Sequence, residues 1–558
     1  MALSTSHKVS IFVCSLVLSA CGGGGGGSDS RDDDTRPVVS STSPGADANN
    51  VIRAALVKAQ FNEDILATSV SQESLKLTGN AGNIAGQLEF DGVSNAIVFR
   101  PDERLPMGTQ LTASLSQDIT DLSGNTLGNQ YSWSFTTSNG GWTGPVSIED
   151  STPHADSPEV AYDAEGNAIA VWIQANNTRY NTYANRYSAV DGTWGDPILI
   201  QADERGNSYS PQVAFDADGN ALAVWSQHDD DQRNIYANRY SAEDGKWEGA
   251  ELIESGDGYA DIPQIAIDRD GNAVVVWYQQ DIPKSSIYAN RYSAEEKRWG
   301  KATLLENNYS GDADEPQVVF NNTGDAFVVW EQNDGTRFNI FVNKYSADEG
   351  TWGTAEFLEL DNAGDARHPQ LTTDGDNIVA VWQQFDGLHT NIYATRYSSE
   401  DQLWGAVTLL EESDSGDAQN PQVEFDSNGD AMAVWAQDDG AHINIYANRF
   451  STSDNKWLGV IPIEVGNEGD SSSPQLATDG DGNTIVVWKN DDGSGMTNIW
   501  ANRYTLEADK WEGAVLIEND DSGQAVAPQI AVASRGEAIV VWMQYSGGLK
   551  NIMANHYD

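Results

Sequence analysis

The chain has 558 residues, of which 84 are Asp or Glu and 31 are Lys or Arg, so its formal net charge is −53. Such a charge argues against nucleic acid as a partner, because no basic surface is left to neutralise phosphates. Hydrophobic residues make up 39% of the chain, which excludes a wholly disordered acidic protein. The 18 Trp and 52 Gly indicate a turn-rich β protein in which tryptophan has a repeated structural role.

The amino terminus has the features of a bacterial export signal. An apolar run extends from Val9 to Ala20 and is too short to span a bilayer, which needs ~20 residues. The residues Leu18-Ser19-Ala20-Cys21 resemble the lipobox of bacterial lipoproteins, in which the cysteine is lipidated after cleavage. The resemblance implies a signal peptide at 1–20, a lipidated flexible tether at 21–36 and, because Gly22 follows Cys21, an anchor in the outer membrane on its periplasmic or cell-surface face. Ordinary secretion with an incidental Cys21 is the alternative.

Residues 37–138 alternate apolar and polar residues in short runs, which is typical of a β-sandwich. The predicted strands cover 55–61, 75–77, 96–99 and 132–137. Together with Phe99-Arg100-Pro101 and the ending Trp133-Ser134-Phe135-Thr136-Thr137, the pattern resembles the SbsA-type bacterial Ig-like domain. The resemblance implies a spacer or an adhesive module.

Residues 141–558 are built from a repeat of 52–54 residues. Each repeat has a proline near its start and a tryptophan 13 or 14 residues later. A second tryptophan series has the same period. Repetition of this regularity indicates an array of identical structural units. The first tryptophan series is Trp172, Trp225, Trp277, Trp330, Trp382, Trp435, Trp488 and Trp542.

Each repeat contains four short β patterns separated by turn residues. In the second repeat these cover 212–215, 221–225, 235–240 and 247–254. Four antiparallel strands, eight times over, predict an eight-bladed β-propeller. The array starts with a lone fourth strand at 142–149 and ends with a lone third strand at 551–557, and pairing them would close the ring and hide two sheet edges. The expected fold is therefore all-β, an Ig-like sandwich followed by a propeller, and we expect a monomer.

One rim of the predicted ring carries an amide two residues after each tryptophan of the first series. Such amides could bind sugar hydroxyls, or they could cap loop backbone. They form the candidate binding site, and its members are Gln174, Gln227, Gln279, Gln332, Gln384, Gln437, Asn490 and Gln544.

Acidic loops on the same rim are candidate ligands for calcium, which prefers oxygen. The same acids could instead serve only as a solvated surface. The candidates are Asp229, Asp230, Asp231, Asp312, Asp314, Asp438, Asp439, Asp491 and Asp492. By contrast, the recurring hairpin turn, Asp216-x-x-Gly219-Asn220 in the second repeat, is expected to be structural, because it offers too few oxygens for calcium. The sequence requires no cofactor.

Catalytic signatures are hard to find. The seven His are scattered, and neither a His-Glu-x-x-His nor a Gly-x-Ser-x-Gly motif is present. We therefore expect no catalytic residue and a non-catalytic cell-envelope binding or adhesion module, in which a multivalent propeller binds glycan or protein. One alternative is a propeller glycoside hydrolase or lyase, for which Glu159 is the candidate because the other seven repeats have Gln at its position. The other is an envelope protein-docking scaffold.

Calcium binding is testable by a thermal melt at fixed high NaCl, with Ca²⁺ or a chelator added. If calcium bridges the acidic loops, mass action raises the melting temperature beyond the level at which monovalent screening has saturated. Identical melts would mean that the acids form only a solvated surface.

Overall fold

The computed structural model describes residues 35–558 except 54, 80–81, 103, 107, 139, 151–153, 177–178, 202–205, 230–231, 255, 257, 282, 307–310, 360–363, 413–415, 465–468, 492 and 519–522. The predicted signal peptide, Cys21 and most of the tether lie outside these residues. Within the described part, no helix is long and apolar enough to cross a membrane. A short 3-10 turn covers Ala67–Ser69.

The first domain is a sandwich of two four-stranded sheets. Each of the four predicted strands appears, with ends shifted by at most two residues. The core lies between the sheets and contains Ile97 from one sheet and Trp133 from the other. In spatial order, one sheet consists of Val39–Ser43, Val57–Phe61, Ala96–Pro101 and Gly86–Asp91, and the other of Gly82–Asn83, Leu75–Gly79, Gln110–Leu115 and Tyr131–Thr136.

The repeats form eight antiparallel sheets of four or five strands, here called blades 1–8. The first strand of each blade contacts the first strand of the next, and that of blade 8 contacts that of blade 1. Ring closure occurs where predicted, since Val146–Ser147 pairs with Leu549–Tyr557 and Trp142 forms a bridge with Tyr557. The prediction of an all-β chain with an Ig-like sandwich ahead of a β-propeller is confirmed.

Three long strands form the body of each blade. The first strands are Ala155–Tyr162, Ser208–Phe215, Tyr259–Ile267, Ala313–Phe320, Ala366–Thr373, Ala418–Phe425, Ser471–Thr478 and Ala525–Val532. The second strands are Ala168–Ala175, Ala221–Asp229, Ala273–Asp281, Ala326–Asn333, Ile378–Phe385, Ala431–Asp438, Thr484–Asp491 and Ala538–Ser546. The third strands are Tyr180–Ser188, Gln232–Ser241, Lys284–Ser293, Phe338–Ser346, Thr390–Ser398, Ile443–Ser451, Thr497–Thr505 and Leu549–Tyr557.

The outer strand is interrupted in most blades, whereas the sequence predicted one continuous strand. In blade 2 the interruption is at Gly249, whose φ of +129° departs from strand geometry. The outer strands are Thr193–Trp194 with Ile198–Leu199, Lys246–Trp247 with Glu251–Leu252, Arg298–Trp299 with Thr303–Leu304, Thr351–Trp352 with Glu356–Phe357, Leu403–Trp404 with Thr408–Leu409, Lys456–Pro462, Lys510–Trp511 with Val515–Leu516, and Val146–Ser147.

An asparagine on the third strand links each blade but one to its neighbour. In blade 2, Asn238 accepts from Gly249 N–H at 2.9 Å and donates to the carbonyl of Ile200 in blade 1 at 2.6 Å. The interruption of the outer strand therefore completes an inter-blade contact. Asparagines that donate to the preceding outer strand are Asn185, Asn238, Asn290, Asn343, Asn448, Asn502 and Asn555.

The hydrophobic core lies between adjacent blades. The first-series tryptophans are at most 1% exposed. Trp330 of blade 4 packs on Val274 and Val276 of blade 3, and Trp172 of blade 1 packs on Val541 of blade 8. Since burying such an aromatic side chain is worth several kcal/mol, the ring is held together by packing across every blade boundary.

The first hairpin turn is structural, as predicted. In blade 2, Asp216 Oδ1 accepts from the N–H groups of Asp218 at 3.0 Å and Asn220 at 2.9 Å. Gly219 has a φ of +77°, which glycine adopts without steric cost. The aspartate oxygen is thus occupied by turn amides.

Each first strand contains a bulge immediately before its proline. The pairing register shifts there, and the residue before the proline has a left-handed φ of 47–54°. Bulges of this kind re-aim a side chain. The eight residues are Ser157, Ser210, Ile262, Glu315, His368, Asn420, Ser473 and Ala527.

Glu159 lies in the ring of innermost strands and bridges three blades. Its Oε1 accepts from Gln212 Nε2 of blade 2 at 3.2 Å and from Gln529 Nε2 of blade 8 at 2.7 Å. Burial raises the pKa of Glu159 to about 8. The carboxyl group therefore serves as a hydrogen-bond acceptor that links blade 1 to its two neighbouring blades.

Because the pKa of Glu159 rises from 4.5 to about 8 on folding, the folded protein holds a proton that the unfolded chain releases. The contribution of this proton to the unfolding free energy is fully present below pH 4.5 and is lost as the pH rises to about 8. The amide of Glu159→Gln does not titrate, so the variant lacks this loss of stability. From the low to the high end of this pH window, its unfolding free energy should therefore rise relative to that of the wild type. Urea unfolding at the two ends of the window measures the difference, with exposed Glu243→Gln as the control. An equal pH dependence in wild type and Glu159→Gln would contradict the assignment.

Candidate functional site

The predicted amide site lies inside the blades. The seven glutamines are at most 4% exposed, and each accepts a hydrogen bond from the indole N–H of the tryptophan two residues earlier, at 2.9–3.1 Å. The eighth member, Asn490, is half-buried and donates to Ser471 Oγ at 3.0 Å. The side chains assigned to ligand binding thus serve the blade interior.

The glutamine amide also donates, which extends the contact to the outer strand. Gln437 Nε2 donates to Glu411 Oε2 at 2.5 Å, and Glu411 Oε1 accepts from the N–H of Ile392 at 2.6 Å. The tryptophan, glutamine and glutamate form a buried relay across a blade boundary. The geometry therefore favours the structural alternative for these amides.

Among the described residues, no three of the predicted calcium ligands form a cluster. Asp230, Asp231 and Asp492 lie outside the described residues. Asp229 accepts from the Tyr236 hydroxyl at 2.8 Å. Three others accept from backbone N–H groups in their own turns at 2.7–2.8 Å, and these are Asp438, Asp439 and Asp491. Asp312 and Asp314 lie elsewhere, beside a cleft, and calcium binding stays a prediction.

The repeat is broken at one pair of facing positions. The residue after the first-series tryptophan lies opposite the residue two before the proline, on the same blade. These pairs differ in every blade, and only blade 4 places two acids there. The pairs are Asp156 with Ile173, Tyr209 with Ser226, Asp261 with Tyr278, Asp314 with Glu331, Arg367 with Gln383, Gln419 with Ala436, Ser472 with Lys489, and Val526 with Met543.

A cleft of about 400 Å³ opens at this break, between blades 3, 4 and 5. Its volume is within the range of small-molecule sites. Aromatic rings and carboxylates form most of its wall. The lining residues are Tyr259, Tyr278, Gln280, Ser285, Asp312, Asp314, Glu331, Phe338 and Arg367.

Glu331 is the centre of a charged network beside this cleft. It is 3% exposed, and its two oxygens accept from Arg367 Nη1 at 2.8 Å and from the N–H of His368 at 3.0 Å. The imidazole Nδ1 of His368 contacts Glu315 Oε2 at 2.5 Å. Arg367 also stacks on Phe338, with Cζ 3.5 Å from the ring centroid.

The left-handed bulge explains how this network forms. Glu315 and His368 occupy the residue before the proline in blades 4 and 5. Among the eight bulges, only these two carry a titratable side chain. Neighbouring blades therefore bring an acid and an imidazole together beside Glu331, which lines the cleft.

Burial and hydrogen bonding shift the protonation of this network. Burial raises the pKa of Glu331 despite the two hydrogen bonds that it accepts. Burial also raises the pKa of Asp314. The hydrogen bond to Glu315 raises the pKa of His368. Glu331 and Asp314 therefore keep their protons to a higher pH than exposed carboxyl groups do.

One atom each of Glu315, Glu331 and His368 lies within 4.8 Å of the other two. Over the described ranges, this is the one cluster whose spacing would also admit a metal ion, and none of the predicted calcium ligands belongs to it. Both Glu331 oxygens already accept hydrogen bonds. We therefore interpret the cluster as an acid–base network.

A second cation stiffens one wall of the cleft. The Arg233 guanidinium lies 3.6 Å from the ring centroid of Tyr209 and 4.4 Å from that of Tyr259. It also forms an ion pair with Asp261. This arrangement fixes the Tyr259 ring at the entrance to the cleft.

A larger groove of about 830 Å³ lies at the outer edges of blades 5 and 6. Its wall includes Trp404 and Trp457, which belong to the second tryptophan series and recur in other blades. It therefore lacks the break in the repeat that distinguishes the inner cleft.

Sequence reasoning missed Glu331, Arg367 and His368, and assigned Asp314 to calcium. The available signal was the residue after each first-series tryptophan. Aligning the repeats at that position gives a single acid, Glu331. Glu331 is therefore a second acid that departs from the repeat, beside the candidate Glu159.

Comparison with known proteins gives one family match and several distant structural similarities. Residues 33–137 match the family model for a bacterial Ig-like domain, which confirms that part of the resemblance. The chain is similar to a polysaccharide lyase described as an ulvan lyase, with 13% identity and a TM-score of 0.41 over 60% of this chain and 89% of that one. It is similar to an α-L-arabinofuranosidase from Fusarium graminearum, with 14% identity and a TM-score of 0.33 over 53% and 91%. It is also similar to a protein of unknown function from Dyadobacter fermentans, with 13% identity and a TM-score of 0.39 over 65% and 97%. The search of curated proteins finds no match.

The expectation of a non-catalytic protein needs correction. Enzymes are among the solved structures to which the chain is similar. Similarities this distant do not identify a reaction, so the chemistry must be argued from the residues. The acid–base network beside the cleft is a candidate catalytic group, which the sequence motifs did not reveal.

The relay predicts a specific cost for losing its glutamine. Gln437→Ala removes the acceptor of the Trp435 indole N–H and the amide that donates to Glu411 Oε2, and should lower the unfolding free energy by about 2–4 kcal/mol. Asn490→Ala is the matched control and should cost less, because Asn490 is less buried and donates to a serine hydroxyl, Ser471 Oγ. Urea denaturation measures both values. Equal losses would argue against the relay.

Proposed function

We propose that this chain is a polysaccharide-cleaving enzyme of the glycoside hydrolase type, and that its substrate lies in the cleft between blades 3, 4 and 5. One observation carries the proposal: Glu315 and Glu331 approach each other within 4.8 Å beside an aromatic-walled cleft. Most glycoside hydrolases use two such carboxyl groups, one on each side of the scissile bond. This replaces the expectation of a binding module by its hydrolase alternative.

The surroundings suit the two carboxyl groups to different roles. Glu331 is the more buried, and its raised pKa favours donation of a proton to the leaving oxygen. Glu315 contacts the imidazole of His368 and would act on the sugar carbon as nucleophile or base. An approach of the two carboxyl oxygens within 4.8 Å is shorter than the ~6.5–9.5 Å spacing that inverting enzymes need for a water molecule, so we expect the product to keep its anomeric configuration.

The remaining cleft residues would hold the glycan. Tyr278 and Phe338 present ring surface to the cleft, on which the apolar face of a sugar can pack. Arg367 donates to Glu331 and stacks on Phe338, and so holds both the carboxyl group and the ring in place. Substrate binding and acid–base chemistry are thereby coupled through one side chain.

The predicted cellular setting fits a polysaccharide substrate. Lipidation at Cys21, an outer-membrane anchor and an Ig-like spacer would place the propeller where envelope or environmental glycans are accessible. These assignments are part of the proposal and rest on the sequence alone.

Loss of either carboxyl group should abolish catalysis in a folded protein. Glu331→Gln and Glu315→Gln should each lower kcat by ~10²–10⁴-fold, the usual contribution of acid–base catalysis. Glu356→Gln, at an exposed acid on the outer strand of the same blade, should leave kcat unchanged. The assay measures new reducing ends on a panel of neutral, amino and uronate polysaccharides.

The same assay separates hydrolysis from elimination. A hydrolase releases saturated sugars, whereas a lyase leaves a double bond that absorbs in the ultraviolet. Unsaturated products, or activity that survives both substitutions, would contradict the proposed function.

A further inference from the structure

Side chains meet across blade boundaries in a regular way at the rim of the ring. The residue three positions after a first-series tryptophan pairs with a residue on the third strand of the same blade. That third-strand residue faces the next blade, at the position two residues before its proline. Where contacts between such residues appear, their chemistry is complementary. Arg233 pairs with Asp261, Lys550 with Asp156 at 2.6 Å, and Phe338 stacks with Arg367.

One boundary breaks this rule. Three blades carry an aspartate two residues before the proline, namely Asp156, Asp261 and Asp314. The first two receive a cation from the preceding blade. At the position that would supply a cation to Asp314, the third strand carries Ser285. Ser285 and Asp314 are both lining residues of the cleft, so the space of the missing side chain is part of the site.

Asp314 has no ion pair with any described residue. Its side chain accepts one hydrogen bond, from the N–H of Glu315 at 2.8 Å. Arg367 is nearby but donates to Glu331 at 2.8 Å. Asp312 lines the same cleft, and among the described residues its side chain accepts one hydrogen bond, from the N–H of Ser285 at 2.9 Å. Two carboxylates thus face the cleft without forming an ion pair with a described residue.

We propose that the ammonium group of an amino sugar takes the place that arginine or lysine fills at the equivalent boundaries. The proposal rests on the proposed function and deepens it by naming the substrate class, a glycan with free amino groups. Asp314 supplies the charge, as Asp261 does for Arg233. Tyr278 and Tyr259 line the same space and can contact the cation through their ring faces. The protein's charge of −53 would also steer a cationic polymer towards the cleft.

The arrangement discriminates against acidic glycans. Besides the proposed proton donor Glu331, the lining contains two carboxylates, Asp312 and Asp314, and one cation, Arg367. That cation already donates to Glu331. A uronate or sulfate group would therefore meet uncompensated negative charge.

The test fills the site with the chain's own cation. Ser285→Arg restores the pair seen between Arg233 and Asp261, and should block the ammonium without removing Asp314. Isothermal titration with an oligomer of glucosamine should show binding weakened about tenfold or more by Ser285→Arg and by Asp314→Asn. The matched control Ser453→Arg, at an exposed turn of blade 6, should bind like the wild type. A higher melting temperature of Ser285→Arg would show that the new pair forms in a folded protein.

Two further titrations identify the ligand. The N-acetylated oligomer has the same sugar without the charge and should bind the wild type about tenfold or more weakly. Oligolysine presents the same ammonium on a peptide, and binding tighter than that of glucosamine oligomers would overturn the glycan assignment. Equal binding of both sugar oligomers, or unchanged binding by Ser285→Arg, would overturn the ammonium site.

Failure of this proposal can be separated from failure of the proposed function. Binding is measured on Glu331→Gln, which retains Asp314 and Ser285 but should not turn over substrate. If this variant binds glucosamine oligomers and the wild type does not cleave them, the ammonium site is supported and the hydrolase function is contradicted. If the wild type cleaves neutral and amino glycans equally well, the hydrolase function is supported and the ammonium site is contradicted.

Discussion

Each blade buries a tryptophan indole whose N–H group needs a hydrogen-bond acceptor. The packing at the blade boundaries depends on the side chain that supplies this acceptor. In seven blades the acceptor is a glutamine two residues later. An unpaired indole N–H would cost about 1–3 kcal/mol in each blade. Because the tryptophan packs on the preceding blade, the same residue provides packing and a polar link at the boundary. Positions that serve this link are filled alike around the ring.

Positions that do not take part in this tryptophan–glutamine link differ from blade to blade. These differences distinguish the cleft between blades 3, 4 and 5 from the rest of the ring. Facing residues on the first and second strands change from blade to blade, and the acids Asp314 and Glu331 meet only in blade 4. The bulge before each proline then places Glu315 and His368 in contact across the next boundary. A ring of nearly equivalent blades thus carries one cleft with an acid–base network. The proposed function depends on residues that depart from the repeat, whereas the repeated residues form the framework of the ring.

The sequence predicted the architecture well because that architecture is repeated. Proline and tryptophan spacing, the sandwich strands and the pairing of the two chain ends were all accessible from the pattern. The glutamines were misplaced because a polar residue near a loop looks exposed, and only packing shows that Gln437 is enclosed between Trp435 and Glu411. The cleft was missed for another reason. Which third-strand residue meets which first-strand residue across a boundary depends on the stagger of neighbouring blades, so the missing partner of Asp314 becomes visible only in three dimensions.

The most direct test is a crystal structure of Glu331→Gln soaked with a glucosamine oligomer. The account predicts sugar rings in the cleft between blades 3, 4 and 5, one amino group within hydrogen-bond distance of Asp314, and the next glycosidic oxygen beside residues 315 and 331. Sugar bound instead in the outer groove near Trp404 and Trp457, or in the cleft with its amino groups directed away from Asp314, would contradict it.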